Sequence, residues 1–259
     1  MRRALREHPV RGQAGLLLVA SLVVAAVLAW PGGGDGRERA EPELAAMVSV
    51  PDLWVARLTL RRHEAVLGDM RVVRVHGRGR RPGRYALRAR YRGHGRNGYS
   101  RVVLPVRWRP GQEVRYGASF YLPRGFYDAM EGEVDLLRFD NYPIDPAHND
   151  RGGVVIHHQD RRAWLVRQRL GYEQVGLGGP FELPEGRWFR LEVRQRLSRG
   201  ATRNAVYVDG RRVAFSRQGN SYGRVIRRLR VGIVAIASGA QRRPLTVYFD
   251  APSWRVVRR

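Results

Sequence analysis

One stretch, Glu131-Gly-Glu-Val-Asp-Leu-Leu-Arg-Phe-Asp140, gathers four carboxylates and an arginine, three of those carboxylates and the arginine in a pattern that can do chemistry. Its polar and apolar residues alternate, as in a strand with one buried face. Val134 and Leu136 point one way and Glu133 and Asp135 the other. The phase then slips, because Leu137 and Phe139 are apolar while Arg138 and Asp140 are polar. A β-bulge between Leu136 and Leu137 restores the order. It keeps Val134, Leu136, Leu137 and Phe139 in the core and lines up Glu133, Asp135, Arg138 and Asp140 on the open face. Such a row suits the floor of a binding groove; the competing reading is a charged, solvated outer face.

Further polar groups stand close by in sequence. Asn141 and Tyr142 follow the strand directly, and Val154-Val-Ile-His-His-Gln-Asp160 places His157, His158 and Gln159 at a strand end. A histidine pair in that position is more often structural or solvated than reactive. Trp164, in Arg161-Arg-Ala-Trp-Leu, is either core or a platform on which a sugar ring stacks. Asp145, Asp150 and Asp160 lie in loops that could hold a structural Ca2+, although their spacing is not that of an EF-hand. No other cofactor is called for.

The elements that must position these groups read as strands. Tyr85, Leu87, Ala89 and Tyr91 alternate with Arg84, Arg88, Arg90 and Arg92, and Phe189, Leu191, Val193 and Leu197 alternate with Arg190, Glu192, Arg194 and Arg196. Val206-Tyr-Val-Asp-Gly-Arg-Arg-Val213 predicts a hairpin turning at Asp209-Gly210. Leu229–Ala237 and Leu245–Asp250 are further strands, with Trp254–Val257 as a closing one. Turn signals recur at Pro82-Gly83, Pro110-Gly111, Pro123-Arg-Gly125 and Pro184-Glu-Gly186, and long helical periods are absent. Many short antiparallel strands predict an all-β domain, a two-sheet jelly-roll sandwich over residues 54–259. Trp108, Trp188 and Trp254 are expected mainly in its core.

Before that domain stand Arg2, Arg3, Arg6 and Arg11 and then an apolar run from Gly15 to Trp30. This order predicts a signal peptide or membrane anchor over 1–31, followed by a Gly- and charge-rich linker over 32–53. The body of the protein is then expected outside the cytoplasm, secreted or anchored. Cysteine is absent, which excludes disulfides and thiolate metal sites. The formal charge is +25, and all 48 basic residues are arginine. Total exclusion of lysine points to codon bias, so the arginine ladders are as readily solvated strand faces as grips on a polyanion. A surface this positive still attracts anionic polymers and lipid head groups. No nucleic-acid-binding motif is present.

Several segments together resemble the concanavalin A-like lectin/glucanase superfamily: Gly111-Gln-Glu-Val-Arg-Tyr-Gly-Ala-Ser-Phe-Tyr-Leu-Pro123, Leu183-Pro-Glu-Gly-Arg-Trp-Phe-Arg-Leu-Glu-Val193, Val206-Tyr-Val-Asp-Gly210, Arg230-Val-Gly-Ile233 and the closing Val247–Val256. The likeness covers roughly 70–259. It implies carbohydrate binding. Gly132-Glu-Val-Asp-Leu-Leu-Arg138 is similar to the Gly-Glu-Ile-Asp-x-x-Glu strand of family-16 glycoside hydrolases, which implies Glu133 as nucleophile and Asp135 as its assistant. The acid/base position is Arg138, which cannot donate a proton at useful pH, so that chemistry needs Asp140 in its place. The jelly-roll polysaccharide lyases are the other group. Resemblance to them implies Arg138 neutralising a substrate carboxylate and His157, His158 or Tyr142 moving the proton, with Glu133, Asp135, Asp140, Asn141 and Trp164 contacting sugar. The Gln-x-His and Arg-x-Glu-Leu-Arg strands of alginate lyases are not reproduced. A polysaccharide partner, anionic in keeping with the arginines, is therefore expected. Lyase, degenerate hydrolase and non-catalytic envelope adhesion module remain open.

Overall fold

Alternation of apolar and polar residues along short segments leaves each strand one face to bury, and two sheets satisfy this by packing inner face on inner face. The computed structural model describes residues 63–74, 85–93, 98–141, 151–168, 174–220, 223–236 and 241–258. The leader, the linker, the domain start at Trp54, Tyr142, Asp145 and Asp150 lie outside the described residues. Strands are numbered in chain order. In spatial order the first sheet is β1 (His63–Val66), β4 (Gly98–Trp108), β13 (Ile226–Ile236), β6 (Glu133–Asp140), β7 (Arg151–Ile156), β8 (Ala163–Gln168) and β9 (Gln174–Phe181). The second is β12 (Arg211–Ser216), β11 (Asn204–Val208), β10 (Trp188–Arg196), β5 (Glu113–Tyr121), β14 (Leu245–Arg258), β3 (Tyr85–Tyr91) and β2 (Gly68–Arg74). Neighbours within each sheet pair antiparallel. The domain is the expected two-sheet all-β sandwich.

Both inner faces supply aromatic rings to the core. Phe139 of β6 meets Trp108 of β4 at 6.3 Å and Tyr116 of β5 at 6.1 Å, both edge-on, while Phe120, Phe189 and Phe249 cluster at 6.2 Å on the second sheet. Edge-to-face and offset geometries at such distances are favourable beyond area burial. The buried polar chain Tyr116–Gln195–Asn204–Asn220 crosses the same layer. Tyr116 Oη donates to Gln195 Oε1 at 2.6 Å, Gln195 Nε2 to Asn204 Oδ1 at 3.0 Å, and Asn220 Nδ2 to the same oxygen at 2.5 Å. Burial pushes the Tyr116 phenol far up, so it stays a neutral donor.

The bulge read from the sequence is present. Asp135 pairs with Val155 and Leu137 with Val154, so Leu136 is extra against β7. The register against β13 also shifts, between Val231 and Val234. Val134, Leu136, Leu137 and Phe139 all reach the core, as the phase slip requires. Two glycines make the close approach workable. A Cβ on Gly153 (φ +155°) would sit 1.8 Å from the Leu137 carbonyl oxygen, and one on Gly232 (φ +144°) would sit 2.5 Å from that of Ser100.

The hairpin β11–β12 turns on Asp209 (φ 54°) and Gly210 (φ 81°), both left-handed, as a two-residue type I′ loop demands. Two expectations need correction. Trp254–Val257 is no separate strand: β14 continues from Leu245 to Arg258 through an irregularity between Asp250 and Ser253. Trp254 is not core but 42% exposed, because that end of β14 runs to the rim of the sandwich. One short helix, α1 (Phe126–Ala129), follows the Pro123-Arg-Gly125 turn. Among the described residues no helix is long and apolar enough to cross a membrane.

Candidate functional site

The open face of the first sheet carries the groups singled out in the sequence, and its centre is a set of charge pairs. Asp135 and Asp140 both point away from the core, yet neither reaches the surface. Arg138 Nη1 donates to Asp135 Oδ2 at 2.6 Å, leaning back three residues along β6. Asp140, with no exposed surface, is clasped by Arg228 Nε at 3.1 Å and by Arg230, both from β13. Further out, Arg101 of β4 pairs with Glu64 of β1 at 3.1 Å. Burial pushes the Asp135 carboxyl up, with the Arg138 guanidinium opposing. Burial likewise lowers the Arg230 guanidinium to about 10, with Asp140 opposing. Arg101, Arg138, Arg228 and Arg230 thus each face a carboxylate, and the middle of the floor is close to charge-balanced.

The β6–β9 end is different: it is recessed, aromatic and partly open. Glu133 begins β6 with its side chain 33% exposed, accepts a hydrogen bond from Gln174 Nε2 of β9 at 2.9 Å, and lies 3.9 Å from His157 Nδ1. Trp164 of β8 packs its ring beside His157, centroids 6.0 Å apart, and donates its indole N–H to Asp160 at 3.1 Å. Burial would raise the Asp160 carboxyl, but this bond and the Arg162 backbone N–H hold it below the usual range. His157, Asp160, Trp164, Val166 and Gln174 line a cleft of about 300 Å³ with Gly176, whose missing side chain leaves the Trp164 ring uncovered on that side. Gln174 and Val166 also border the small cavity over Arg138 and Arg151, of about 10 Å³, so cleft and charge pairs belong to one groove.

The candidates fall into distinct groups. His157 and Trp164 meet at the cleft, and Glu133 stands behind them, in contact with His157 and Gln174. Arg138 shares their face, its guanidinium drawn level with Val155, two residues from His157, which is roughly 7 Å along the strand. Asp135 and Asp140 are enclosed in ion pairs, and Asn141 is half-buried just past the end of β6. His158 is exposed on the turn after β7, away from the packed wall of the cleft. Tyr142 lies outside the described residues. Asp160 is engaged by Trp164 and Arg162, and among the described residues no cluster of three acidic or histidine side chains is placed to hold a metal.

Sequence reasoning missed Gln174, Arg101, Arg228 and Arg230. For the two β13 arginines a signal existed, because Ile226-Arg-Arg-Leu-Arg-Val alternates around Leu229 and Val231. Gln174 had none. Its place depends on β9 pairing beside β8, a long-range event.

No protein-family model and no curated protein matches this chain. Among solved structures, the alginate lyase vAL-1 from a Chlorella virus superposes with a TM-score of 0.56 and 11% identity, over 80% of this chain and 98% of that one. The fold is the concanavalin A-like jelly roll. Lower in likeness are alginate lyase Aly36B, solved with an alginate trisaccharide (TM-score 0.47, 11% identity, 67% of this chain and 82% of that one), and an endo-1,3-beta-glucanase from Streptomyces sioyaensis (0.47, 12%, 64% and 74%). At such identities the likeness concerns the fold, and a jelly roll hosts many functions.

The hydrolase route narrows in this jelly roll. Asp140, the substitute acid/base, is enclosed between two arginines. It also stands seven positions from Glu133 along β6, roughly 20 Å, against the ~5 Å a retaining carboxylate pair needs.

Proposed function

We propose that this jelly roll binds a polysaccharide along the open face of its first sheet, with the cleft of His157, Asp160, Trp164 and Gln174 as the principal subsite. The observation that carries the reading is the cleft itself. An aromatic face, an imidazole, a carboxylate and an amide converge in about 300 Å³, the combination of flat apolar surface and few polar groups that a sugar ring takes. The neighbouring arginines are paired, so recognition there rests on hydroxyls and ring faces more than on charge. Trp164→Ala is expected to weaken binding of alginate and laminarin oligosaccharides about tenfold, the worth of one aromatic contact, and to leave thermal stability nearly unchanged. Unchanged affinity in calorimetric titration would remove the subsite. Export of the chain, drawn from its basic and apolar N-terminus, is proposed on sequence alone.

A lyase reading is favoured by one contact. His157 Nδ1 stands 3.9 Å from the Glu133 carboxylate, close enough to orient the ring, and Arg138 lies on the same face. In that reading His157 removes the C5 proton of a uronate whose carboxylate Arg138 neutralises; the C4–O bond then breaks as the C4=C5 double bond forms, and the leaving oxygen takes the proton from His157. Arg138 must then leave Asp135. The test is ultraviolet absorbance of unsaturated uronate ends from alginate or glucuronan; oligosaccharide binding with no such product decides for the binder.

A further inference from the structure

The outer face of the second sheet holds a concentration of arginine that the groove does not use. Outward side chains fall in rows across the strands. One row runs from Arg258 of β14 to Glu113 of β5, then Arg196 of β10, then Arg203, whose carbonyl accepts the Arg196 N–H; Arg217 follows β12, its carbonyl accepting the Thr202 N–H. Arg196 and Arg203 are thus lateral neighbours on adjacent strands, about 4.8 Å apart, and Arg217 lines the same cleft as Arg203. Like charges so placed destabilise a sheet. A merely solvated face gains nothing from the arrangement, whereas a bound anion offsets it.

Acid compensation is confined to one side of this row. Glu113 is paired with Arg194 and lies 4.0 Å from Arg258, and Glu192 is paired with Arg115 at 2.6 Å. Arg203, Arg212 and Arg217 are exposed, and no carboxylate among the described residues pairs with them. With Arg194 and Arg258 they line a cleft of about 260 Å³ whose remaining wall is Tyr207, Ala205, the exposed ring of Phe215 and one carboxylate, Glu113, already paired with Arg194. A second recess of about 660 Å³ shares Arg203 and Arg258 and continues past Arg196 and Ser198.

We propose that this face is a second binding site, for an extended anionic polysaccharide bearing carboxylate or sulfate groups. Guanidinium forks match such groups in bidentate fashion. The charges line a recess that runs across the strands, which fits a chain better than a flat bilayer surface. The Arg212 guanidinium lies over the Phe215 ring at 5.2 Å, covering the aromatic face on which a nucleobase would stack. The site is on the opposite sheet from the groove and does not depend on it.

The experiment measures binding of the full chain to immobilised heparin and alginate at low and high salt. The Arg203→Gln/Arg217→Gln variant should bind about tenfold more weakly at low salt, the difference narrowing as salt rises. Both residues are exposed, so an unchanged melting temperature certifies the fold. The loss of heparin binding caused by the two glutamines should be the same size in a Trp164→Ala background, which separates this site from the groove. Arg162→Gln, an exposed charge on the first sheet, should also match the parent. Three outcomes overturn the proposal: parental heparin affinity in the double variant, an equal loss in Arg162→Gln, or tighter binding of single-stranded DNA or phosphatidylglycerol vesicles through the same two arginines.

Discussion

Replacing Asp140 by Asn tests whether the charged centre of the groove is structure or surface. The side chain has the size of the original, so the change is electrical. It leaves Arg230, 7% exposed, and Arg228, 19% exposed, facing each other with no carboxylate between them. Removing one partner of a buried ion pair costs about 3–5 kcal/mol, whereas a solvated pair is worth ~1 kcal/mol or less. Arg228 retains some water, so the lower end of the first range, about 3 kcal/mol, is expected. For a domain of this size that lowers the melting temperature by roughly 6–12 °C. Adding Arg230→Met to Asp140→Asn removes the more enclosed unpaired charge and should recover about half the loss, since buried ion pairs are commonly replaceable by apolar groups. Urea unfolding and calorimetry of the parent, single and double variants measure this directly. A loss under about 1 kcal/mol for Asp140→Asn would show that water reaches the cluster, and the enclosed centre described above would be wrong.

Three other perturbations probe separate parts of the fold. The Glu131 carboxylate accepts the backbone N–H groups of Arg242 at 2.6 Å and Arg243 at 3.1 Å, which hold it below the usual carboxylate range. A depressed folded-state value adds stability above the ordinary pKa and loses it as pH falls through the depressed one, so Glu131→Gln should flatten the acid limb of a urea-midpoint curve; an unaltered limb refutes the clamp. Gly153→Ala must place a Cβ 1.8 Å from a β6 carbonyl at φ +155°, and a loss of about 3 kcal/mol or more is expected by urea unfolding, with parental stability as the contrary result. Tyr116→Phe removes the donor to Gln195 Oε1 inside the core and should cost about 1–3 kcal/mol; full restoration on adding Gln195→Leu would not be expected, because Asn204 Oδ1 then loses one of its two donors.

The fold was readable wherever local alternation decides the outcome. The bulge at Leu136 followed from two adjacent leucines in a period-2 pattern, and the Asp209-Gly210 turn from residues that accept left-handed backbone. What eluded the sequence was pairing between distant strands. Asp135 and Asp140 read as open-face residues from their parity, and both do point away from the core, yet parity says nothing of Arg228 and Arg230 arriving on β13 to cover Asp140. His157 and His158 looked equivalent as a pair. Only the turn that starts after Ile156 separates a half-buried imidazole against Trp164 from an exposed one. Trp254 resembled a core residue by its type alone, and the irregular path of β14 placed it at the rim instead.

Location of the bound sugar is the central claim, and hydrogen exchange reports it most directly. Exchange of the full chain is followed by mass spectrometry with and without alginate and laminarin oligosaccharides, in salt high enough to screen the outer arginine face. Slower exchange in the segment from His157 to Trp164 and around Gln174 is the predicted result. Protection confined to β10–β12, or absent from the β6–β9 end while binding is measurable by calorimetry, would contradict the assignment of the groove.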